Sequence, residues 1–489
     1  MPNVRLSKQK KILRFLYILF LAVTSISICS KSSFLYPFND WMDANCFMTV
    51  GKSLLKGMIP YKDIYEQKGP LLYFISAIAA RVSDTTFIGF WLVECVSAFF
   101  FLLFSYKTMR FFIGEYALFW VPVLACVVYS CGALSHGGSV EELCLPIFAY
   151  SFYVGVRYIG NVQKSFQLEM YIVGLLSACI LWMKFSMLGF FLGWILVPFF
   201  LSIKEKQVKK FFVDICFILL GVITVTLPML FWYCRNNALS DLMRAYFYNN
   251  IFVYSGGGAF QKARNLVSGL HLSLVYIPIP LFLAVFGVLF FIKKDGKLSG
   301  LFALSGLLAG LVIFSGGQGI QYYPLPLTSL SIIGLIAIHE IIEKKNWITA
   351  GYKTKQLICC LFLLASVCGM FFLSSNTPFM KVKKEELPQF QFREIIWQEK
   401  EPTLLNYGFM DGGFYTACGI YPDFKYFCKL NIALPEMLQA QEEYVAEKRT
   451  MFIVTRNQNP KLEGYECIAE SSYMHESNVQ QYYLYKLIG

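Results

Sequence analysis

Residues Tyr171–Leu201 read YIVGLLSACILWMKFSMLGFFLGWILVPFFL, an apolar run with a single charged side chain, Lys184. About 20 such residues suffice to cross the roughly 30 Å of hydrocarbon in a bilayer. Similar runs occupy Phe87–Tyr106 and Tyr116–Leu134. Of the 489 residues, 56% are hydrophobic and only 15% are charged, against roughly 25% charged residues in an average soluble domain. The sequence therefore predicts a polytopic α-helical membrane protein.

Eleven apolar segments are predicted to cross the membrane. They are Ile12–Cys29 and residues 86–106, 116–134, 143–160, 169–183, 186–201, 211–233, 266–292, 298–315, 325–342 and 357–373. The first follows several Lys and Arg residues, as in a signal peptide or a signal anchor. An anchor is favoured, because no small-residue cleavage site precedes Lys31.

Basic residues predict the orientation, because cytoplasmic loops are enriched in Lys and Arg. The predicted cytoplasmic segments are the N-terminus, Lys107–Arg110, Arg157–Lys164, Lys204–Lys210, Lys293–Lys297 and Lys344–Lys355. The short outer loops 135–142 and 316–324 carry no basic residue, whereas the long outer loops 31–69 and 234–265 are basic. The net charge of +12 thus suits membrane lipid and a phosphate-bearing ligand rather than nucleic acid.

The composition changes at Ser374, where charged residues, Pro and Gly become frequent. Strands are predicted at Thr403–Tyr407, Thr450–Thr455 and Gln481–Lys486, with a helix at Pro435–Glu447. We therefore expect two domains: a transmembrane domain, residues 1–373, and a small extracytoplasmic α/β domain, residues 374–489. The second is expected to cover the outer face and to help select the acceptor.

The first outer loop contains an amphipathic helix. At 100° per residue, Asp43 shares one stripe with Phe47, Val50 and Leu54, while Lys52 faces the other way. We expect this helix to lie in the membrane interface, where a carboxylate in the apolar stripe needs a partner or a purpose.

A structural interpretation of the same acidic residues is open. Asp40 is a good helix N-cap, and Asp43 would then sit favourably in the first turn. Capping does not explain why Asp43 shares its face with apolar residues.

The loop resembles that of the GT-C superfamily of membrane glycosyltransferases, and in particular the branch of the protein O-mannosyltransferases and the aminoarabinose transferase. The resemblance rests on the acidic Asp43 after the first span, the amphipathic helix, and the element Lys68-Gly69-Pro70-Leu71-Leu72-Tyr73. Relatives often have Pro where this chain has Gly69. The resemblance implies a GT-C-like fold over the membrane region.

It also implies transfer of a sugar from a polyprenyl-phosphate-linked donor to a glycan, lipid or protein acceptor at the outer face. Asp43 would be the base that takes the proton of the acceptor hydroxyl, with Asp40 as a second catalytic candidate. The phosphate leaving group needs cations, which Lys62 and Lys68 can supply. Arg244, Lys262 and Arg264 are further cations on the predicted outer side.

A second acidic pair, Glu141 and Glu142, opens the fourth predicted span and is expected to contact substrate. The alternative is that these carboxylates only favour a helix N-terminus. Asp43, His136 and Glu141 could share a divalent cation, although neither spacing nor composition demands a cofactor.

Three further residues, within the apolar segments or next to them, are also candidates. Lys184 is expected either to snorkel outward or to contact the phosphate of the carrier. Glu94 is the only deep carboxylate, and we expect a basic or hydroxyl neighbour for it. Tyr322 lies in a Tyr-rich outer turn and is either substrate-binding or an interfacial scaffold residue.

Two other function classes are alternatives. A lipid or polysaccharide transporter should have ionisable or broken helices near the midplane in two repeated halves, whereas the polar residues here crowd one predicted face. A glycan polymerase or ligase would use the same outer-face chemistry with a glycan chain as donor. A bacterial plasma membrane, with the N-terminus cytoplasmic, is the expected location.

Overall fold

The computed structural model of the protein describes residues 8–344, 352–475 and 478–488. Most of the predicted cytoplasmic segment 344–355, as well as Arg5, lies outside these residues. The described part is mainly helical, and its strands follow residue 403.

The first ten α-helices are α1 Lys8–Cys29, α2 Met42–Leu55, α3 Pro70–Val82, α4 Ile88–Ile113, α5 Ala117–Tyr129, α6 Val140–Gly160, α7 Gln167–Lys184, α8 Gly189–Lys204, α9 Val208–Arg235 and α10 Leu239–Leu242. A π-helix, Met243–Tyr254, follows. The remaining ones are α11 Ala259–Tyr276, α12 Pro278–Lys294, α13 Gly296–Ser315, α14 Ser331–Lys344, α15 Tyr352–Leu373, α16 Pro388–Ile396, α17 Phe414–Cys418 and α18 Pro435–Ala446.

Within the described residues, seven helical segments are long and apolar enough to cross a membrane, or up to eight if the bent pair α11 and α12 forms one span. Two of them, Ile88–Tyr129 and Gln167–Lys204, contain 42 and 38 residues, about twice the length that one crossing needs. Each predicted span lies mostly in helix, but the predicted span 266–292 is divided between α11 and α12, which bend by 104°. The number of spans, eleven, stays a prediction.

Glycines bring several of these helices into close contact. A side chain at Gly174 would collide with the Ile218 carbonyl of α9, and one at Gly221 with the Tyr171 carbonyl of α7. Gly193 of α8 packs in the same way on α13, at the Leu304 carbonyl. Small residues allow such close backbone approach where lipid supplies no hydrophobic force between helices.

The chain forms two compact units, each assembled from separate stretches of sequence. The first contains Met1–Ser30, Glu94–Pro228 and Gly257–Thr377. The second contains Lys31–Val93, Met229–Gly256 and Pro378–Gly489. The second unit therefore groups the first loop with the C-terminal residues, while the division into 1–373 and 374–489 stays a prediction.

The second unit contains a four-stranded sheet of order β1-β2-β4-β3. Its strands are β1 Leu404–Asn406, β2 Phe452–Arg456, β3 Tyr465–His475 and β4 Asn478–Leu487. β1 and β2 are parallel, and the other pairs are antiparallel. The three predicted strands and the helix at 435 are confirmed.

Strand β3 was missed from the sequence. Its polar residues, among them Glu466 and Glu470, hide the alternation that marks a half-buried strand. β3 is an edge strand that pairs only with β4, and an edge strand tolerates charge.

Candidate functional site

Helix α2 carries Asp43 in its first turn. All residues from Asp43 to Ser53 are buried, including Lys52, which is 0% exposed. The face of α2 that carries Lys52, opposite the apolar stripe, is therefore buried as well. The polar face is covered because residues of the C-terminal part of the same unit pack against it: the Lys52 Nζ donates to the Tyr415 carbonyl at 2.7 Å.

Asp40 is not the N-cap of α2, so that part of the capping interpretation is wrong, whereas Asp43 does lie in the first turn as the interpretation expected. The N-cap is Trp41, which makes no side-chain capping bond. Instead, the Lys31 Nζ lies 2.7 Å from Oδ1 of Asp40, and the Tyr473 hydroxyl donates to Oδ2 at 3.2 Å. Lys31 also lies over the Phe379 ring, 4.4 Å from its centroid. Asp40 thus joins the first loop to β3 and the segment before α16.

The Lys68 motif is held by a network that sequence reasoning missed. Glu66 is buried and accepts hydrogen bonds from the Lys68 amide, at 2.8 Å, and from the Tyr73 hydroxyl. The Tyr61 hydroxyl donates to the Lys68 carbonyl at 2.5 Å, from a backbone with φ +73°. A positive φ in a bulky residue is strained and marks a position that its surroundings impose. The signal in the sequence was an unexplained carboxylate two residues before Lys68.

Lys68 lies against α2. Its Nζ is 6.0 Å from the centroid of the Phe47 ring. Phe47 follows Asp43 by one turn, and residues four apart share a helix face. The structure therefore places Lys68 on the side of α2 that carries Asp43, while the catalytic and phosphate-binding roles expected for these residues stay predictions.

Lys62 and Arg244 are placed differently. The exposed Lys62 donates to the Asn236 carbonyl at 2.9 Å. Arg244, also exposed, lies 3.6 Å from Glu436. Arg244 belongs to the π-helix Met243–Tyr254. Asn250 of the same π-helix donates to the carbonyl of Gln67, the residue before Lys68, at 2.7 Å. In this structure Lys62 thus contacts a backbone carbonyl, and Arg244 a carboxylate, of the same unit.

In the first unit, Glu141 and Lys184 form an ion pair. The Glu141 side chain is 2% exposed and that of Lys184 14%. The Lys184 Nζ lies 4.0 Å from the ring centroid of Tyr323 and 5.6 Å from that of Tyr322. Three candidates that the sequence offered separately, Glu141, Lys184 and Tyr322, therefore form one cluster of a carboxylate, an ammonium and two rings.

The backbone and the carboxylate of Glu142 both take part in hydrogen bonds at the start of α6. Its amide N–H donates to the hydroxyl oxygen of Ser139, the N-cap of α6, at 3.1 Å. Its carboxylate and that of Glu94 share the Gly138 amide, at 3.1 and 2.5 Å. Glu94 also accepts from the Ser30 hydroxyl at 2.9 Å. The hydroxyl neighbour expected for Glu94 is confirmed.

Two crystal structures of ArnT from Cupriavidus metallidurans are similar to this chain over nearly its whole length. The structure bound to undecaprenyl phosphate has a TM-score of 0.63, 9% identity and 98% coverage of both chains. The apo structure has a TM-score of 0.62 and 11% identity, and covers 97% of this chain and 98% of its own. The chain has an ArnT-like fold. No family profile and no curated protein matches its sequence.

The ArnT-like fold and the apolar helices establish an integral membrane protein of many helices, as the apolar runs predicted. The fold that these structures show is ArnT-like, whereas membership of the GT-C superfamily and of one of its branches stays a prediction at 9% and 11% identity.

The divalent-cation hypothesis also stays a prediction. Within the described residues, no group of three or more His, Cys, Asp or Glu side chains could hold a metal ion. His136 and Glu141 belong to the first unit and Asp43 to the second.

Proposed function

We propose that this protein is an integral membrane glycosyltransferase that moves a sugar from a polyprenyl-phosphate-linked donor to a cell-envelope acceptor. The observation that carries the proposal is the placement of Asp43 and Lys68 on one side of the buried helix α2. The ArnT-like fold supports the donor class, because one of the similar ArnT structures holds undecaprenyl phosphate.

Asp43 is the proposed base. As the acceptor hydroxyl attacks the anomeric carbon, a carbon–oxygen bond forms and the hydroxyl proton passes to the Asp43 carboxylate. The bond between the anomeric carbon and the phosphate oxygen breaks, and its electron pair leaves with the polyprenyl phosphate.

Cations stabilise the leaving phosphate. Lys68 is the proposed cation on the Asp43 side, since the hydrogen bonds of Glu66 and Tyr61 fix its backbone. Lys184 is a second proposed phosphate contact, with Glu141 and Tyr322 holding its ammonium group. Preorganised charges aimed at developing negative charge are a large source of catalysis. We assign no step to a metal ion.

The proposed topology puts the N-terminus in the cytoplasm and residues 374–489 outside the plasma membrane of a bacterium. It rests on the basic segments between the apolar runs. The acceptor, a glycan, lipid or protein, would then be approached at the outer face.

The test is transfer of radiolabelled sugar from a panel of polyprenyl-phosphate sugars in membranes that contain wild type, Asp43→Asn or Asp63→Asn at equal expression. Asp43→Asn should lose about a hundredfold of the rate, the size expected for a catalytic base. Asp63→Asn is the matched control: Asp63 accepts from the Ile59 amide at 2.8 Å, and an Asn oxygen can accept the same bond. Its rate should stay within about twofold.

Full activity of Asp43→Asn would refute Asp43 as the base. Movement of the lipid-linked sugar across the bilayer without a covalent product would refute the transferase and support the transporter. A product formed only from glycan-chain donors would support the polymerase or ligase.

A further inference from the structure

A hydrogen bond to the buried carboxylate of Asp411 joins helix α2 to the C-terminal part of its unit. The Thr49 hydroxyl, on the polar face of α2, donates to Oδ2 of Asp411 at 2.6 Å. Thr49 and Asp411 are both 0% exposed. This bond joins residues 362 positions apart in sequence, so it does not stabilise α2 locally.

Asp411 is itself held rigidly. It lies in the loop between β1 and α17, and its Oδ1 accepts from the Asn406 side chain and from the Gly413 amide, each at 2.9 Å. Gly413 has φ +90°, and a side chain there would come within 2.6 Å of the Phe38 ring. Only glycine suits that position. Burial raises the pKa of Asp411, and the bonds from Thr49 and Gly413 oppose the shift.

The opposite face of α2 packs on α3. A side chain at Gly51 would lie 2.5 Å from the Ser76 Cβ, so the two helix backbones are close. Lys52 supplies a second bond on the Asp411 side, to the Tyr415 carbonyl. α2 therefore packs against α3 on one side and is hydrogen-bonded to residues 411–415 on the other.

A buried carboxylate is an expensive way to attach a helix, because its desolvation opposes the hydrogen bonds it gains. An apolar contact would attach α2 equally well, but it is not directional and would therefore define the rotation of α2 about its axis and its position along that axis less closely. Thr49 follows Asp43 by less than two turns, so a shift of α2 at Thr49 displaces Asp43 as well. A misplacement of about 1 Å can lower an enzymatic rate about a hundredfold.

We propose that Asp411 is a positioning residue, which accepts the Thr49 hydrogen bond and thereby sets the rotation and height of α2 that place Asp43 against the acceptor hydroxyl. This inference rests on the proposed function. It gives the C-terminal residues a part in the chemistry in addition to the acceptor selection expected for them.

The test removes one hydroxyl at a time from α2. Thr49→Ala deletes the bond to Asp411, whereas Ser53→Ala deletes a bond of 2.7 Å to the Thr49 carbonyl within the helix. Both are made in wild type and in Asp43→Asn, and kcat and the KM for donor and acceptor are measured. Thr49→Ala should lower kcat about tenfold with donor KM unchanged, Ser53→Ala should have little effect, and Thr49→Ser should restore the rate.

The decisive comparison is made in the Asp43→Asn background. There Thr49→Ala should cause no further loss, because the residue it positions is already absent. The same tenfold loss in that background would overturn the proposal, as would a rate unaffected by Thr49→Ala in otherwise wild-type protein. Should Thr49→Ala fail to fold, Thr49→Val provides the same comparison. If Asp43→Asn itself is fully active, the proposed base is wrong instead.

A readout independent of activity uses the thiols of Cys46 on α2 and Cys428, whose sulfurs are 3.8 Å apart. Both thiols are buried and burial raises their pKa, so a mild copper–phenanthroline oxidant should cross-link them slowly in wild type and in Ser53→Ala. Cross-linking should be markedly faster in Thr49→Ala, where a loosened α2 exposes them. Equal rates in all three proteins would contradict a tether at Asp411.

Discussion

The ion pair of Glu141 and Lys184 gives a quantitative prediction. Lys184→Met should leave the Glu141 carboxylate, 2% exposed, without its ammonium partner. Breaking a buried pair by removing one member is destabilising by about 3–5 kcal/mol. The partial exposure of Lys184, 14%, favours the lower end, and loss of its contact with Tyr323 at 4.0 Å adds about 1 kcal/mol. We therefore expect a destabilisation of about 4 kcal/mol.

The double variant isolates the pair. Glu141→Gln leaves no charge to be compensated, so Lys184→Met should be tolerated better in that background, with a coupling free energy of about 2–3 kcal/mol. The assay is unfolding of the four proteins in detergent, followed by tryptophan fluorescence against denaturant, with donor KM measured in parallel. Donor KM should rise in both proteins that carry Lys184→Met, because Lys184 is the proposed phosphate contact.

Equal destabilisation by Lys184→Met with and without Glu141→Gln would refute the pair. An unchanged donor KM in the folded double variant would refute the role of Lys184 in binding phosphate while leaving the pair intact.

Two further predictions concern pH and metal. Burial lowers the pKa of Lys52 to about 8 from its usual 10.5. Between these two pH values the unfolded chain therefore binds more protons than the folded protein. The destabilisation of the fold by the buried Lys52 ammonium is complete below pH 8 and disappears as the pH rises to 10.5. The free energy of unfolding of wild type relative to Lys52→Met should thus rise by up to about 3 kcal/mol over that range. Thermal unfolding of both proteins at pH 7.5, 9 and 10.5 measures it. A difference in stability that does not change with pH would contradict the buried state of Lys52. Dialysis against EDTA tests the divalent-cation hypothesis: a loss of transfer activity that Mg²⁺ or Mn²⁺ restores is expected if a cation is shared, and activity that stays within about twofold would contradict it.

The sequence by itself determined the parts of the structure that depend on neighbouring residues. The apolar runs predicted the helices because a segment surrounded by lipid must satisfy its backbone hydrogen bonds internally. The first-loop motif, which lies within a short stretch of chain, predicted a fold of the type that the similar ArnT structures have. Short strands with a regular pattern, such as β2, were found for the same reason.

Only the tertiary structure decided what covers each helix face. Periodicity showed that Lys52 and Asp43 lie on different sides of α2, but not that the Lys52 side is buried under residues far along the chain. Asp40 pairs with Tyr473, 433 positions away, and Thr49 with Asp411, 362 positions away. Such contacts depend on where the whole chain brings its segments together, and burial, which decides the charge and the role of a side chain, is set by those contacts.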